Sequence, residues 1–418
     1  MKNLMDEANR CLLCKNARCQ QKCPINTPIP EVMKLFKDGQ IKEAGELLFS
    51  NNPLSAICAV VCPHENQCKG NCIRGIKVEP IEFYEIENFI SHTFLESATF
   101  NKPEKMLDDR IAIVGSGPAG ITIAFLLAIK GYKVTMFESK EKIGGVLRYG
   151  IPEFRLPKDI LDKIQEKLLQ LGVNIRPNTL IGPVITIDKL FSDGYKAIFL
   201  GTGVWNPRTL NIKGESLGNA HYAIDYLKSP SVYSLGKRVC VIGAGNVAMD
   251  AARTAKRNGA EDVFIMYRKE MQDMTATRIE INEAIEEGVR FEWFKTPLEI
   301  TDDGVRYIET QKIAGEDRRV ITLNLEGAEG SFECDSVIIA VSQSPRNNIV
   351  ANNEGFETDR QGRLLTDETG ETTREGVFAS GDVVTGARTV VEAANYAKTV
   401  AESIDQYCNS YKSEDEVL

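Results

Sequence analysis

The chain has 418 residues, 43% of them hydrophobic and 26% charged, and a net charge of −9. That length holds two or three domains, each with its own core, and the acidic balance argues against sequence-independent nucleic-acid binding, which needs a basic face. Met1 to Arg10 is polar and charged, and the longest apolar run, Ile123 to Ile129, is too short to cross a bilayer, so a cytoplasmic protein without membrane contact is expected.

Eight of the eleven cysteines lie between Cys11 and Cys72, within a unit expected to span residues 1–105. The first array is Cys11-x2-Cys14-x4-Cys19-x3-Cys23-Pro24 and the second Cys58-x3-Cys62-Pro63-x4-Cys68-x3-Cys72. Helices are expected from Pro28 to Lys37, from Ile41 to Phe49, and from Pro80 to Phe94, the last with Ile86, Phe89, Ile90 and Phe94 at helical spacing. In a reducing compartment such arrays bind metal sooner than they form disulfides. Only Cys11 and Cys14 have the CxxC spacing of a zinc ribbon, whereas uneven spacings with Cys-Pro at Cys23 and Cys62 suit [4Fe–4S] ligation; structural zinc stays open as the alternative.

A dinucleotide fingerprint follows. The apolar run Ile111 to Val114 breaks into Gly115-x-Gly117-x-x-Gly120, a helix-like segment begins at once, and a second strand, Lys133 to Phe137, ends at Glu138. Gly115 makes the tight turn, Gly117 admits a pyrophosphate, Gly120 lets helix and strand pack, and Glu138 sits where an acid binds a ribose hydroxyl. Gly144 and Gly145 then permit a close backbone approach. A helix from Ile160 to Leu171, a strand near Asn174 and a buried strand, Ala197 to Leu200, complete this half.

The pattern restarts at Arg238: a strand to Ile242, the turn Gly243-x-Gly245-x-x-Ala248, a helix, and a second strand, Asp262 to Met266. Where the first fold has Glu138, this one has Tyr267-Arg268-Lys269, and adjacent cations favour a 2′-phosphate, hence NADPH. The buried strand Val337 to Ala340 matches Ala197 to Leu200, so residues 206–343 are expected to be inserted into a first nucleotide domain of 106–205 and 344–418. Near the end, Gly381-Asp382 follows a strand and precedes a helix, where Asp382 can accept from a ribityl hydroxyl and the helix N-terminus can stabilise a reduced flavin.

Across nearly its whole length the sequence resembles the FAD/[4Fe–4S] oxidoreductases that include the glutamate synthase small subunit and the flavin half of dihydropyrimidine dehydrogenase. The matching pieces are the double cysteine array, Gly144 to Pro157, Gly243 to Asp250, and Gly381-Asp382 with Thr389 to Glu392. The resemblance implies an α/β architecture of two Rossmann-type domains, the second inserted into the first, behind a small all-α iron–sulfur domain. It implies one cluster on Cys11, Cys14, Cys19 and Cys72, and another on Cys23, Cys62, Cys68 and Glu87, although spacing alone proposes Cys58 for the last place. FAD contacts would involve Val61, Gly115, Gly117, Pro118, Ala119, Gly120, Glu138, Gly144, Gly145, Val146, Arg148, Arg155, Gly381, Asp382, Thr389 and Val390. NADPH would meet Gly243, Ala244, Gly245, Asn246, Val247, Arg268, Lys269 and Ala340; Lys269 and Thr275 depart from an arginine and a proline common in the family. The implied activity passes electrons from NADPH through FAD and two [4Fe–4S] clusters to a partner subunit, with hydride transfer left to the cofactors and no catalytic acid or base.

Three other readings remain. A pyridine nucleotide–disulfide reductase would need a redox cysteine pair at the flavin, whereas Cys240 and Cys334 read as lone core residues and Cys408 lies near the tail. An electron-bifurcating NADH/ferredoxin:NADP oxidoreductase subunit and a non-enzymatic zinc-stapled nucleotide-binding module are the others.

Overall fold

A computed structural model of the chain describes residues 3–314 and 320–410; residues 1–2 and 411–418, at the ends of the expected outer domains, lie outside the described residues. It divides into two compact units. One comprises Met1–Arg148, Glu153–Val204 and Ser344–Leu418; the other, Tyr149–Pro152 and Trp205–Gln343.

The first unit begins with short helices, Leu4–Asn9, Arg18–Gln21, Ile29–Lys37, Ile41–Asn51 and Ser55–Val61, and a longer one, Phe83–Ser97. Pro28 caps Ile29–Lys37, and Gly39, at φ +75°, takes the chain out of it. The helix expected from Pro80 starts three residues later, at Phe83. Its buried stripe is Phe83, Ile86, Glu87, Ile90 and Phe94; Phe89 falls off that stripe and is 44% exposed, with its ring edge-on to Phe36. Gly45 lets Ile41–Asn51 approach this helix so closely that a Cβ there would stand 2.6 Å from that of Phe94. Phe49 meets Phe94, Phe100 and Phe125 at ring separations of 5.6, 4.9 and 5.0 Å, and these rings fasten the helical region to the first dinucleotide helix, Pro118–Ile129.

Five parallel strands form the unit's sheet, in the order Val377–Ala379, Tyr195–Leu200, Arg110–Val114, Lys133–Phe137, Asn174–Arg176. All but the short edge strand Asn174–Arg176 are almost wholly buried, as parallel strands under helices should be. The order reverses between Arg110–Val114 and Tyr195–Leu200, and such a switch point is where open α/β sheets bind ligands. The last strand, Val377–Ala379, joins this sheet after the chain has built the other unit, and the helix Val390–Ser410 packs on Pro118–Ile129.

The second unit repeats the plan with parallel strands Ala220–Tyr222, Ser336–Ile339, Arg238–Ile242, Asp262–Tyr267 and Arg290–Trp293, in that order. Its switch point lies between Arg238–Ile242 and Ser336–Ile339. An antiparallel meander, Lys295–Thr301, Gly304–Ala314 and Val320–Glu333, is added to it and was not anticipated from the sequence. Cys240 and Cys334 are core residues as expected, but neighbours rather than lone ones: burial first, then Cys334, raises the Cys240 thiol.

Candidate functional site

Cys11, Cys14, Cys19 and Cys72 line one open cavity, together with Cys68, Arg18 and Arg74 and with no carboxylate. Leu13, in the turn from Cys11 to Cys14, has a left-handed φ of 48°, which is strained for a bulky side chain. Burial pushes the Cys11 and Cys19 thiols up, that of Cys19 to about 11, so without a cation these two are neutral, whereas a metal would take them as thiolates.

A second group gathers beside the first. Glu87 acts electrostatically on Cys23, Cys62 and Cys68, three thiols already raised, Cys62 first by a hydrogen bond with Cys58 and then by burial, Cys23 and Cys68 mainly by burial. Burial alone pushes the Glu87 carboxyl up to about 8, and among the described residues no hydrogen bond or ion pair offsets it. A buried carboxylate left without a partner is costly, and a cluster iron would supply one. Cys58 is differently placed: its Sγ accepts from Asn52 Nδ2 at 3.2 Å, and its influence falls on Cys62. No three His, Cys, Asp or Glu side chains among the described residues converge as ligands of a single ion. The sulfurs of Cys11, Cys14, Cys19 and Cys72 stand around a volume, an arrangement that fits a polynuclear cluster better than tetrahedral zinc about 2.3 Å from each sulfur.

His64 belongs to this region, although no ligand or triad pattern in the sequence pointed to it. Its ring stacks on Tyr84 at 4.3 Å, Nε2 lies 3.2 Å from the Ala59 carbonyl, and Nδ1 lies 3.7 Å from Cys68 Sγ. Burial lowers its pKa to about 4, so the ring is neutral. Val61 ends the helix Ser55–Val61, on which the helix Val390–Ser410 packs.

At the first switch point, Gly115 has φ +100° and a Cβ there would stand 2.5 Å from the Gly201 carbonyl oxygen. A Cβ on Gly120 would stand 2.0 Å from the Gly115 oxygen, while at Gly117 nothing lies within 4 Å, which leaves the space that a pyrophosphate needs. Pro118 and Ala119 open the helix behind this turn. The other expected contacts converge on it: Gly145 would meet Gly117 Cα at 2.8 Å, Gly144 N donates to Ser116 O at 3.0 Å, and Gly381 would meet Ala119 Cβ at 3.3 Å. Glu138 is buried and accepts from Ser116 N, Lys140 N and Ser139 Oγ at 3.1, 2.8 and 3.1 Å, and from Ser116 Oγ. These four donors already fill the roughly four lone-pair sites of a carboxylate, so a ribose hydroxyl would bind in exchange for one of them, the exposed Ser139 being the least fixed.

Burial pushes the Asp382 carboxyl up to about 6, although Arg388 N donates to it at 3.2 Å. Thr389 and Glu392 form a capping box at the start of Val390–Ser410, with Thr389 N donating to Glu392 Oε2 at 3.0 Å and Glu392 N to Thr389 Oγ1 at 3.4 Å. Val146 and Arg148 lie in the short helix Val146–Tyr149, where Arg148 donates to the Ile143 carbonyl and pairs with Asp162 at 2.6 Å. Arg155 is half-buried.

In the second unit, Gly243 has φ +141° and a Cβ there would stand 2.3 Å from the Ala340 carbonyl oxygen. Ala248, fully buried, fills the third-glycine position, and Asn246 and Val247 begin the helix Asn246–Arg257. Thr275 to Thr277 fold back over the turn: Thr275 N and Ala276 N donate to Ala244 O at 3.1 and 3.0 Å, and Thr277 N to Asn246 Oδ1 at 2.9 Å. Next to Gly245 itself, only Thr275 Oγ1 comes within 4 Å of an added Cβ, at 3.4 Å. Arg268 is exposed and Lys269 half-buried. The nearby acids Glu270 and Asp273 pair with Lys312, so among the described residues no carboxylate holds Arg268 or Lys269 in an ion pair.

Two parallel sheets with glycine turns at their switch points, preceded by cysteine-rich helices, define an oxidoreductase with FAD- and NADP-binding folds and an iron–sulfur region. The chain belongs to the pyridine nucleotide-disulphide oxidoreductase family, whose model matches residues 109–397, while residues 1–99 match dihydropyrimidine dehydrogenase domain II with its 4Fe-4S cluster. It is 32% identical to the glutamate synthase [NADPH] small chain of Escherichia coli over 95% of this chain and 90% of that one. It is 30% identical to the NAD-dependent dihydropyrimidine dehydrogenase subunit PreT of Salmonella typhimurium, over 96% and 93%. Mycobacterium tuberculosis FprA in complex with NADPH shares the fold, with a TM-score of 0.65 at 18% identity over 74% of this chain and 86% of that one. Among the described residues no helix is long and apolar enough to cross a membrane.

Proposed function

We propose that the chain is a cytoplasmic electron-transfer subunit that takes electrons from NADPH and delivers them through FAD and two [4Fe–4S] clusters to a partner subunit. The observation that carries this reading is the presence, in one unit, of a dinucleotide turn and two neighbouring cysteine groups, Cys11/Cys14/Cys19/Cys72 and Cys23/Cys62/Cys68/Glu87. When bound, FAD and the clusters convert a two-electron hydride into single electrons.

The chain's own residues bind and tune. Gly115, Gly117 and the start of Pro118–Ile129 cradle the FAD pyrophosphate, Glu138 accepts from its ribose, and Gly145 and Gly381 close round the same turn. Gly243 and Gly245 do the same for NADPH, with Arg268 and Lys269 on the 2′-phosphate. The domain reading follows: 1–105 for the clusters, 106–205 with 344–418 for FAD, and 206–343 for NADPH. Leu12 and Ile73, 61% and 40% exposed at the mouth of the first cysteine cavity, support a partner docking there.

The test is anaerobic purification followed by NADPH addition. About eight irons per chain, flavin bleaching and two reduced-cluster EPR signals are expected. Stoichiometric zinc and a colourless chain would instead favour the nucleotide-binding module.

A further inference from the structure

The helix Val390–Ser410 begins at the flavin-side capping box and, nine residues on, presents Lys398 to the cysteine region. Lys398 Nζ donates to Asn51 O and Asn51 Oδ1, both at 3.0 Å, and Asn51 Nδ2 donates to Ile25 O at 3.3 Å, in the loop that carries Cys23. Both acceptors of the ammonium are neutral oxygens. Glu402, one turn further on, is exposed, and among the described residues no carboxylate lies within ion-pair distance of Lys398. The other ionisable group acting on Lys398 is Cys23. A half-buried cation without an anion is costly, and this one is tied through Asn51 to the loop of Cys23, a thiol raised by burial that becomes anionic as a metal ligand.

We propose that Lys398 is a positioning and tuning residue whose fixed charge balances the Cys23/Cys62/Cys68/Glu87 site and stabilises the electron placed there. The proposal rests on the cluster reading above. An added electron increases the negative charge of that site by one, and a nearby cation favours the reduced form, so Lys398 raises the site's reduction potential. Through Asn51 it also fixes the loop bearing Cys23 against the flavin-side helix.

The holoprotein, purified anaerobically, is titrated under EPR as wild type, Lys398→Met and Lys398→Arg. In Lys398→Met one of the two cluster potentials is expected to fall by the equivalent of about a tenfold change in its reduction equilibrium, about 59 mV for one electron, at unchanged iron content. Lys398→Arg is expected to restore it. Both potentials unmoved in iron-replete Lys398→Met would overturn the proposal. Should Lys398→Met lose iron, retention by Lys398→Arg would support the charge role, and equal loss in both would overturn it. A wild-type chain without iron would defeat the cluster reading itself, a result distinct from either.

Discussion

The Gly243 α-carbon stands where a Cβ would lie 2.3 Å from the Ala340 carbonyl oxygen, and Gly115 stands in the same relation to Gly201, at 2.5 Å. Each pair joins the two strands that flank a switch point, so each turn is held against the neighbouring strand's exit by the absence of a side chain. Backbone cannot yield by that much, and both glycines also have positive φ. Gly115→Ala is therefore expected to yield protein without FAD, and Gly243→Ala protein that keeps FAD but binds NADPH weakly, read by flavin content and equilibrium titration. Gly117→Ala separates the causes: with open space around it, this variant should fold with unchanged thermal stability and still lose flavin affinity.

Arg268 tests the nucleotide. Charge-assisted hydrogen bonds contribute roughly 1.5–3 kcal/mol each, and each ~1.4 kcal/mol is a decade in affinity. Arg268→Ala should weaken NADPH at least about tenfold and leave NADH nearly unchanged in steady-state reduction of an artificial acceptor. Equal losses for both nucleotides would assign the arginine a structural role.

Glu87 and Cys58 compete for one ligand position. Glu87 acts on three cysteines of the second group, whereas Cys58 is held by Asn52 and faces Cys62. Glu87→Ala should alter one cluster's EPR signal while Cys58→Ala leaves both intact. The opposite pattern would give the position to Cys58.

Asp382 should be visible in the stability of flavin-free protein. Its folded pKa, about 6, lies above the ordinary 3.8 because burial disfavours the charged form. The folded state thus binds more protons than the unfolded state between those values, and Asp382's contribution, full below about pH 4, is lost as pH rises through about 6. Two pKa units set a ceiling of roughly 3 kcal/mol. Chemical denaturation of Asp382→Asn from pH 4 to 7 should show a flatter decline than wild type; parallel curves would place the titration elsewhere.

Phe49 joins the helical region to the first dinucleotide helix through Phe94, Phe100 and Phe125. Phe49→Ala should cost about 3–5 kcal/mol, measured by denaturant unfolding.

Much of this arrangement was legible because glycine and cysteine constrain the chain locally. Gly115, Gly120 and Gly243 each have a contact that only glycine permits, and strand–turn–helix order follows from hydrophobic runs. The four cysteines Cys11, Cys14, Cys19 and Cys72 do share a cavity, but spacing alone could not separate Cys72 from the rest of its own array. Glu87 had a faint signal, a carboxylate on the stripe Phe83, Ile86, Ile90, Phe94. The meander after Lys295 went unread because its strands are half-exposed and its pairing is set by tertiary contacts rather than by a pronounced apolar alternation. His64 and Lys398 were invisible for other reasons: His64 sits in no ligand or triad spacing, and Lys398 acts on Asn51, 347 positions away in the sequence.

Thr389 and Lys398 are nine residues apart on one helix, a rise of about 13 Å at 1.5 Å per residue. That helix works as a ruler with an angular as well as a linear scale. One residue inserted between them would turn Lys398 by about 100° away from Asn51 and lift it by one step, and only a change of seven residues, two turns, would bring it back to nearly the same face. The spacing between the flavin-side cap and the cysteine loop is therefore quantised: natural or designed variants can change side chains along this helix freely on its exposed side, but cannot adjust its length by small amounts.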